Sequence, residues 1–185
     1  MVIFYSEETE SDFEGTVIDI ETVGDFCREY PDSREYQNIV PVILGYIDRN
    51  GLKIHCARRI GSIAKLKSII TQTVPQLRKP LYAFNCCFEK GVLFHSCGIV
   101  TNFDGELNKE KIERKRDAIT SLGIENYGDP FYDVGFKCKL AWNKGNTKLS
   151  IRHNRSCLLK ERDILLRRGY RIPDELILYS FGKNV

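Results

Sequence analysis

The stretch Thr16-Val17-Ile18-Asp19-Ile20-Glu21-Thr22-Val23-Gly24 decides the fold of this chain. Its apolar residues predict a short buried strand that carries two carboxylates, Asp19 and Glu21. Because side chains alternate along a strand, residues two apart point to the same face. Two buried acids on one face are costly as bare charges, and a divalent cation with oxygen ligands, such as Mg²⁺, relieves that cost. The alternative is a strand that ends at an exposed edge, with both acids in water.

The composition is typical of one globular domain over residues 1–185, with 42% hydrophobic and 29% charged residues. No apolar run approaches the ~20 residues that a membrane-spanning helix needs. The start, Met1–Tyr5, is followed by an acidic run and lacks the basic region of a signal peptide. These observations predict a cytoplasmic protein with no membrane partner, and they leave the oligomeric state open. The seven cysteines lack C-x-x-C spacing, which favours reduced thiols and does not signal a zinc site.

Charge is distributed unevenly along the chain. Between residues 6 and 35 there are eleven acidic residues against two arginines, whereas residues 139–171 hold ten lysines or arginines against two acids. Such a basic segment suits a polyanion such as nucleic acid. A solvated helix face is the alternative explanation.

The pattern of apolar and turn residues predicts a run of strands, then a helix, one further strand and more helices. The predicted strands are residues 2–5 at an edge, Thr16–Glu21, Asn38–Asp48, Leu52–Ala57 and Leu81–Phe84. Pro41 indicates an edge or a bulge, and Arg49-Asn50-Gly51 indicates a tight hairpin turn. The predicted helices are Ser62–Leu77, Phe88–Cys97, Lys109–Leu122, Pro130–Trp142 and Ile151–Arg168, with a loop at Asn143–Asn146. Three meandering strands followed by alternating helices and a strand indicate an α/β domain with a mixed sheet.

Two motifs in this order resemble those of the DEDD superfamily of 3′–5′ exonucleases, which have a ribonuclease H-like fold. The first motif of that family, an Asp-x-Glu on a central strand, is similar to Asp19-Ile20-Glu21 followed by Thr22 and Gly24. The second resembles the segment from Ala83 to Leu93, in which Asn85 and Phe88 match and Glu89 stands where the family has Asp.

The third motif of the family has a Tyr or His shortly before a final Asp on the last helix. Counting back from Gly169 places Cys157 at that acidic position and His153 at the Tyr or His position. Glu161 lies one turn further on the same helix face, whereas Asp163 points elsewhere. The segment Phe131-Tyr132-Asp133 is similar to one that precedes a helix in many members, where the Asp is structural, as a helix N-cap.

The resemblance implies a metal-dependent 3′–5′ exonuclease that hydrolyses DNA or RNA with two Mg²⁺ or Mn²⁺ ions. It implies Asp19, Glu21, Glu89 and Glu161 as metal ligands and His153 as the group that orients or deprotonates water. The implied nucleic-acid contacts, to a single-stranded 3′ end, are Asn85, Phe88, Arg152 and Arg155. Because Cys157 is a poor ligand for Mg²⁺, the alternative is a decayed nuclease fold that binds nucleic acid or acts as a scaffold. A third possibility is a small α/β protein whose acids line a solvent edge.

Overall fold

The computed structural model describes residues 1–179, which form an α/β fold with one six-stranded mixed sheet. The strands are β1 (Val2–Glu7), β2 (Thr16–Val23), β3 (Val40–Asp48), β4 (Gly51–Ala57), β5 (Leu81–Ala83) and β6 (Gly105–Glu106). The helices are α1 (Ile63–Thr73), α2 (Cys86–Cys97), α3 (Lys115–Leu122), α4 (Gly135–Asn143) and α5 (Thr147–Arg168). Short 3₁₀ turns lie at Ser33–Tyr36, Ile60–Ser62 and Val74–Gln76. Among the described residues, no helix is both long and apolar enough to cross a membrane.

The sheet order is β1-β4-β3-β2-β5-β6. Strands β1 to β4 pair antiparallel, and β5 runs parallel to both β2 and β6. The predicted α/β class, the edge strand at the N-terminus and the meander are therefore confirmed. Strand β2 lies inside the sheet with β3 on one side and β5 on the other, and its Val17 and Ile18 are fully buried.

Pro41 lies beside a β-bulge in its own strand, as its sequence position predicts. The register of the β2–β3 pair shifts between Glu21 and Thr22, and Thr22 is paired with Pro41. A proline cannot donate a ladder hydrogen bond, so the extra residue of the bulge accommodates it inside the sheet. The bulge falls directly after the second acid of the Asp19-Ile20-Glu21 sequence.

Helix α5 packs closely on the sheet because β3 has a glycine at the point of contact. Gly45 is the partner of Asp19 across the β2–β3 ladder. A Cβ atom at Gly45 would lie 2.0 Å from Oδ1 of Asn154 and 2.8 Å from a methyl group of Leu158, both on α5. Only glycine allows the helix this approach, and the approach brings the α5 side chains beside Asp19.

Several predicted helix boundaries are wrong, because local capping contacts set them. Helix α2 begins at Cys86, two residues earlier than predicted, where Asn85 caps it by accepting from the amide of Phe88. Helix α5 begins at Thr147, four residues earlier, where Asn146 accepts from the amide of Leu149. Apolar spacing alone misses both ends because the capping residues are polar.

Two other predicted helices begin later than expected. Only the second half of the predicted helix Lys109–Leu122 is helical, since Glu113 accepts from the amide of Lys109 and binds Arg168 instead of continuing a helix. Helix α4 begins at Gly135, not at Pro130. The two-residue strand β6 was not predicted, because two residues are too few to show any periodicity.

Candidate functional site

The sheet opens into a cleft of about 660 Å³ at the carboxyl ends of the parallel strands β2 and β5. Ligand sites in α/β proteins are commonly found at this edge of the sheet. Side chains from β2, α2, α3, α4 and α5 line the cleft. Residues singled out in the sequence are among them: Asp19, Glu21, Asn85, Phe88, Glu89, His153 and Cys157.

Asp19 and Glu21 both face the cleft from β2, as strand alternation predicts. Asp19 is 7% exposed, and its two carboxylate oxygens are held separately. Lys115 donates to Oδ1 at 3.0 Å and the amide of Asn154 donates to Oδ2 at 2.7 Å. Burial raises the pKa of Glu21 to about 7, with His153 acting in the opposite direction. The alternative of two acids in water at a strand edge does not describe their surroundings.

Glu89 enters the cleft from the first turn of α2 and is only 4% exposed. Its Oε2 atom has no hydrogen-bond partner among residues 1–179. Burial raises the pKa of Glu89 well above its ordinary value, and the charges of Asp19 and Glu161 raise it further. A buried carboxylate oxygen without a donor is costly, so this position favours a proton or a cation.

Lys115, the first residue of α3, places its ammonium group between two acids. It lies 3.0 Å from Asp19 Oδ1 and 2.5 Å from Glu161 Oε1. Burial would lower the pKa of Lys115, but Asp19, Cys157 and Glu161 outweigh it and keep the amine charged. Glu161 is fully buried beneath this amine and is not among the residues that line the cleft. Its role as a fourth metal ligand stays a prediction.

His153 is a buried residue of α5 whose two ring nitrogens contact two different carboxylates. Nδ1 lies 2.7 Å from Asp129 Oδ1, and Nε2 lies 3.4 Å from Glu21 Oε1. A carboxylate can only accept, so Nδ1 carries a proton and Nε2 faces the cleft. Burial would lower the pKa of His153, but its contacts with Cys157, Glu21 and Asp129 outweigh burial and raise it to about 12.

Asp129 fixes this orientation of His153, and three further donors hold the carboxylate of Asp129 in place. The backbone amides of Phe131 and Asp133 donate to it, and Lys160 donates to its Oδ2 at 3.0 Å. Burial would raise the pKa of Asp129, but His153 and these amides outweigh burial and keep the pKa below its usual range. The imidazole of His153 is thus fixed by an ionised carboxylate.

Cys157 occupies the place on α5 where the resemblance expects an acid. It is 2% exposed and lines the cleft one helical turn from His153, with its Sγ atom 3.7 Å from His153 Nε2. Burial raises the pKa of Cys157 to about 11. One donor atom each from Glu21, His153 and Cys157 fall within 4.8 Å of one another.

The four predicted nucleic-acid contacts divide into two pairs. Asn85 and Phe88 line the cleft, where Asn85 caps α2 and Phe88 packs edge-on against Tyr36. Arg152 and Arg155 are not among the residues that line the cleft. Arg155 makes a bidentate ion pair with Glu7 on β1, which uses its guanidinium group.

Asp133 is structural, as expected, but its predicted role as a helix N-cap is wrong. The N-cap of α4 is Val134, and no side chain caps this helix. Asp133 instead accepts a hydrogen bond of 2.6 Å from Lys160. Its backbone has a φ of 64°, a conformation that Asp tolerates better than most residues.

The sequence analysis missed three residues that hold the site together: Lys115, Asp129 and Asn154. Lys115 lies in a segment rich in charged residues, where one lysine cannot be distinguished from its neighbours. Asp129 is flanked by Gly128 and Pro130 and resembles an ordinary loop acid. Asn154 directly follows His153. Its one signal in the sequence is that it is a polar residue on a helix face predicted to be buried.

Comparisons with family models, with curated proteins and with solved structures found no match for this chain.

Proposed function

We propose that this protein is a metal-dependent 3′–5′ exonuclease that hydrolyses phosphodiester bonds of DNA or RNA by a two-metal-ion mechanism. The observation that carries the proposal is the convergence of Asp19, Glu21 and Glu89 from two separate elements in one cleft. His153 faces the same cleft from α5. The ribonuclease H-like character of the fold belongs to this proposal, and the antiparallel meander followed by parallel strands supports it.

The donor set fits the divalent cations that the proposal requires. Three carboxylates supply hard oxygen ligands of the kind that Mg²⁺ and Mn²⁺ prefer. The buried Oε2 atom of Glu89 lacks a donor among the described residues, and a cation would satisfy it. Bound divalent ions would supply Lewis-acid stabilisation of the phosphate charge.

The residues of the chain itself would bind and orient the nucleic acid. Arg28 and Lys139 bring positive charge to the cleft, which suits phosphate groups. The exposed rings of Phe26 and Phe136 lie at the same cleft and offer faces on which bases stack. In this proposal His153, held by Asp129, orients the attacking water through its Nε2 atom.

A second candidate function, a nucleic-acid-binding domain that no longer cuts, is favoured by the donors around Asp19. Lys115 already places a permanent positive charge between Asp19 and Glu161. The amide of Asn154 occupies the other oxygen of Asp19. Cys157 replaces the expected acid. Together these contacts satisfy Asp19 without a metal ion.

An oligonucleotide labelled at its 5′ end distinguishes the two functions. With Mn²⁺ or Mg²⁺, the wild-type protein is expected to shorten it stepwise from the 3′ end. Asp19→Asn is expected to reduce this rate at least ~100-fold, since removing a metal ligand costs more than the 10–100-fold typical of its supporting partners. Asp12→Asn, the same substitution at an exposed residue outside the cleft, should leave the rate unchanged.

Two other outcomes would contradict the exonuclease. Binding of the oligonucleotide without shortening, in either metal, would support the second candidate. Neither binding nor shortening would overturn both candidates and leave the third possibility, an α/β protein with no nucleic-acid function.

A further inference from the structure

We infer that Glu21, His153 and Cys157 form a site for a single transition-metal ion of the Zn²⁺ class, with an open coordination position toward the cleft. Thiolate, imidazole and carboxylate together are typical ligands of Zn²⁺ and poor ligands of Mg²⁺. This inference stands on three side chains and their supports. It does not depend on whether the protein cuts nucleic acid.

The spacing of the three donor atoms suits tetrahedral coordination. With bond lengths of about 2.0–2.1 Å to nitrogen or oxygen and about 2.3 Å to sulphur, the edges of a tetrahedron are roughly 3.3 Å for N–O and 3.6 Å for N–S. The observed separations are 3.4 Å between His153 Nε2 and Glu21 Oε1, and 3.7 Å between His153 Nε2 and Cys157 Sγ. One donor atom from each residue lies within 4.8 Å of the other two.

The histidine is supported in the manner of metal-binding histidines. Such histidines usually donate their second ring N–H to a carboxylate, which fixes the ring and leaves the other nitrogen to the metal. Here Nδ1 donates to Asp129 at 2.7 Å, and Lys160 holds the other oxygen of Asp129 at 3.0 Å. Asp129 and Lys160 are both fully buried in their side chains. This buried support fixes the orientation of the His153 ring, as a metal ligand requires.

The three ligands are presented by two separate elements, helix α5 and strand β2. His153 and Cys157 are four residues apart on α5, so one helix face presents both. Glu21 is presented by β2, and the close approach of α5 at Gly45 brings the two elements together. Because all three residues also line the cleft, a fourth position is accessible to a ligand from the cleft side.

The ligand role and the water-orienting role of His153 exclude each other. Once its proton is displaced, Nε2 has one lone pair, and a metal ion bound there would occupy it. In the metal-free protein Nε2 faces Glu21, and a cation would take the place of the proton between them. With Zn²⁺ bound, Glu21 is also withdrawn from the proposed nuclease and only Asp19 and Glu89 remain for hard cations, so the Zn²⁺ form and the proposed nuclease form are alternative states of the same cleft.

Cobalt binding tests the inference directly, without nucleic acid. Co²⁺ added to the metal-free wild-type protein is expected to produce a thiolate-to-cobalt absorption band in the near ultraviolet and visible bands of tetrahedral intensity. Zn²⁺ should displace both. Absence of a thiolate band would overturn the inference, and no variant is needed for this result.

Variants identify the ligands by Zn²⁺ affinity, measured by competition with a chromophoric chelator. Cys157→Ser is expected to abolish the thiolate band and to weaken Zn²⁺ binding at least ~100-fold, and Asp129→Asn to weaken it by ~10–100-fold. Cys97→Ser, a half-buried cysteine at the far end of α2, should change neither. Loss of the band in Cys138→Ser but not in Cys157→Ser would overturn the assignment, since Cys138 also lies near Glu21.

A variant that changes the metal preference, rather than abolishing binding, keeps the test valid if the other variants fail to fold. Cys157→Asp places a hard oxygen ligand at the same position and is expected to lower the ratio of Zn²⁺ to Mn²⁺ affinity by ~10-fold or more. An unchanged ratio in a folded Cys157→Asp protein would contradict the inference. A protein that binds Zn²⁺ in this way but never shortens an oligonucleotide would support the inference and contradict the proposed nuclease. A protein that shortens the oligonucleotide but does not bind Zn²⁺ in this way would contradict the inference and support the proposed nuclease.

Discussion

Two buried clusters of charged side chains contact α5 and differ in how completely their polar atoms are hydrogen-bonded. The Lys160 cluster joins Lys160 to Asn126, Asp129 and Asp133, at 3.1, 3.0 and 2.6 Å. The cleft cluster holds four acids, Asp19, Glu21, Glu89 and Glu161, with Lys115 and His153 as its cations. In the first, all three ammonium protons have acceptors. In the second, an oxygen of Glu89 has no donor among residues 1–179.

This difference indicates that the Lys160 cluster has a structural role and that the cleft cluster can bind a proton or a cation. A buried ion pair with every partner satisfied gains little by changing its state, so it serves to position other groups. A buried carboxylate oxygen without a donor is costly until a proton or a cation arrives, so it is poised to bind one. Asp129 connects the two, because it accepts from Lys160 on one side and from His153 on the other.

The largest expected effect comes from removing the ammonium group of the Lys160 cluster. Lys160→Met leaves Asp129 and Asp133 without their shared cation, and removing one partner of a buried pair typically costs about 3–5 kcal/mol. Urea denaturation should measure a loss of this size in the free energy of unfolding. The control is Lys148→Met on the exposed face of the same helix, which should change stability by less than about 0.5 kcal/mol. Equal losses in the two variants would mean that the Lys160 cluster is not a structural support.

A smaller effect concerns pH and the cleft cluster. Burial raises the pKa of Glu21 from an ordinary value of 4.5 to about 7. A carboxyl group with a raised pKa stabilises the folded state most below about pH 4.5, and this contribution is lost as the pH rises to about 7. We expect wild type to lose on the order of 2 kcal/mol more than Glu21→Gln over this range, a value reduced for the 12% exposure of the side chain. Parallel pH profiles from urea denaturation would contradict this expectation.

The smallest effect concerns the competition between Lys115 and a metal ion for Asp19. Lys115→Met removes the ammonium group that donates to Asp19 Oδ1. We expect Mn²⁺ to bind about 10-fold more tightly by calorimetry, which corresponds to about 1.4 kcal/mol. Lys137→Met, which removes an exposed lysine of α4, serves as the control. Weaker or unchanged Mn²⁺ binding in Lys115→Met would mean that the amine does not compete for Asp19.

Features that depend on neighbouring residues in the sequence were predicted well. The alternation around Asp19 and Glu21, the hairpin at Asn50-Gly51 and the end of α5 before Gly169 each depend on a few adjacent residues, and the structure confirms them. The arrival of Glu89 and His153 at the same cleft was expected from the resemblance, and both line it.

The contacts that the sequence could not indicate all connect distant parts of the chain. Lys115 reaches Asp19 across 96 residues, and Asn154 reaches it across 135. No periodicity encodes such a pairing, because the spacing of apolar residues within one segment does not indicate which distant segment it will contact. The role of Asp129 likewise depends on α5 returning to the loop that carries it, which only the packed structure reveals.

Gly45 forms no bond in the cleft, yet it controls the dimensions of the cleft. Its missing side chain fixes the gap between sheet and helix, and that gap determines how far His153 and Cys157 lie from Glu21. A change at this one position would alter the spacing of three donor atoms at once while leaving every donor in place. In the proposed metal site, selectivity between large and small cations would therefore depend partly on a residue that carries no functional group.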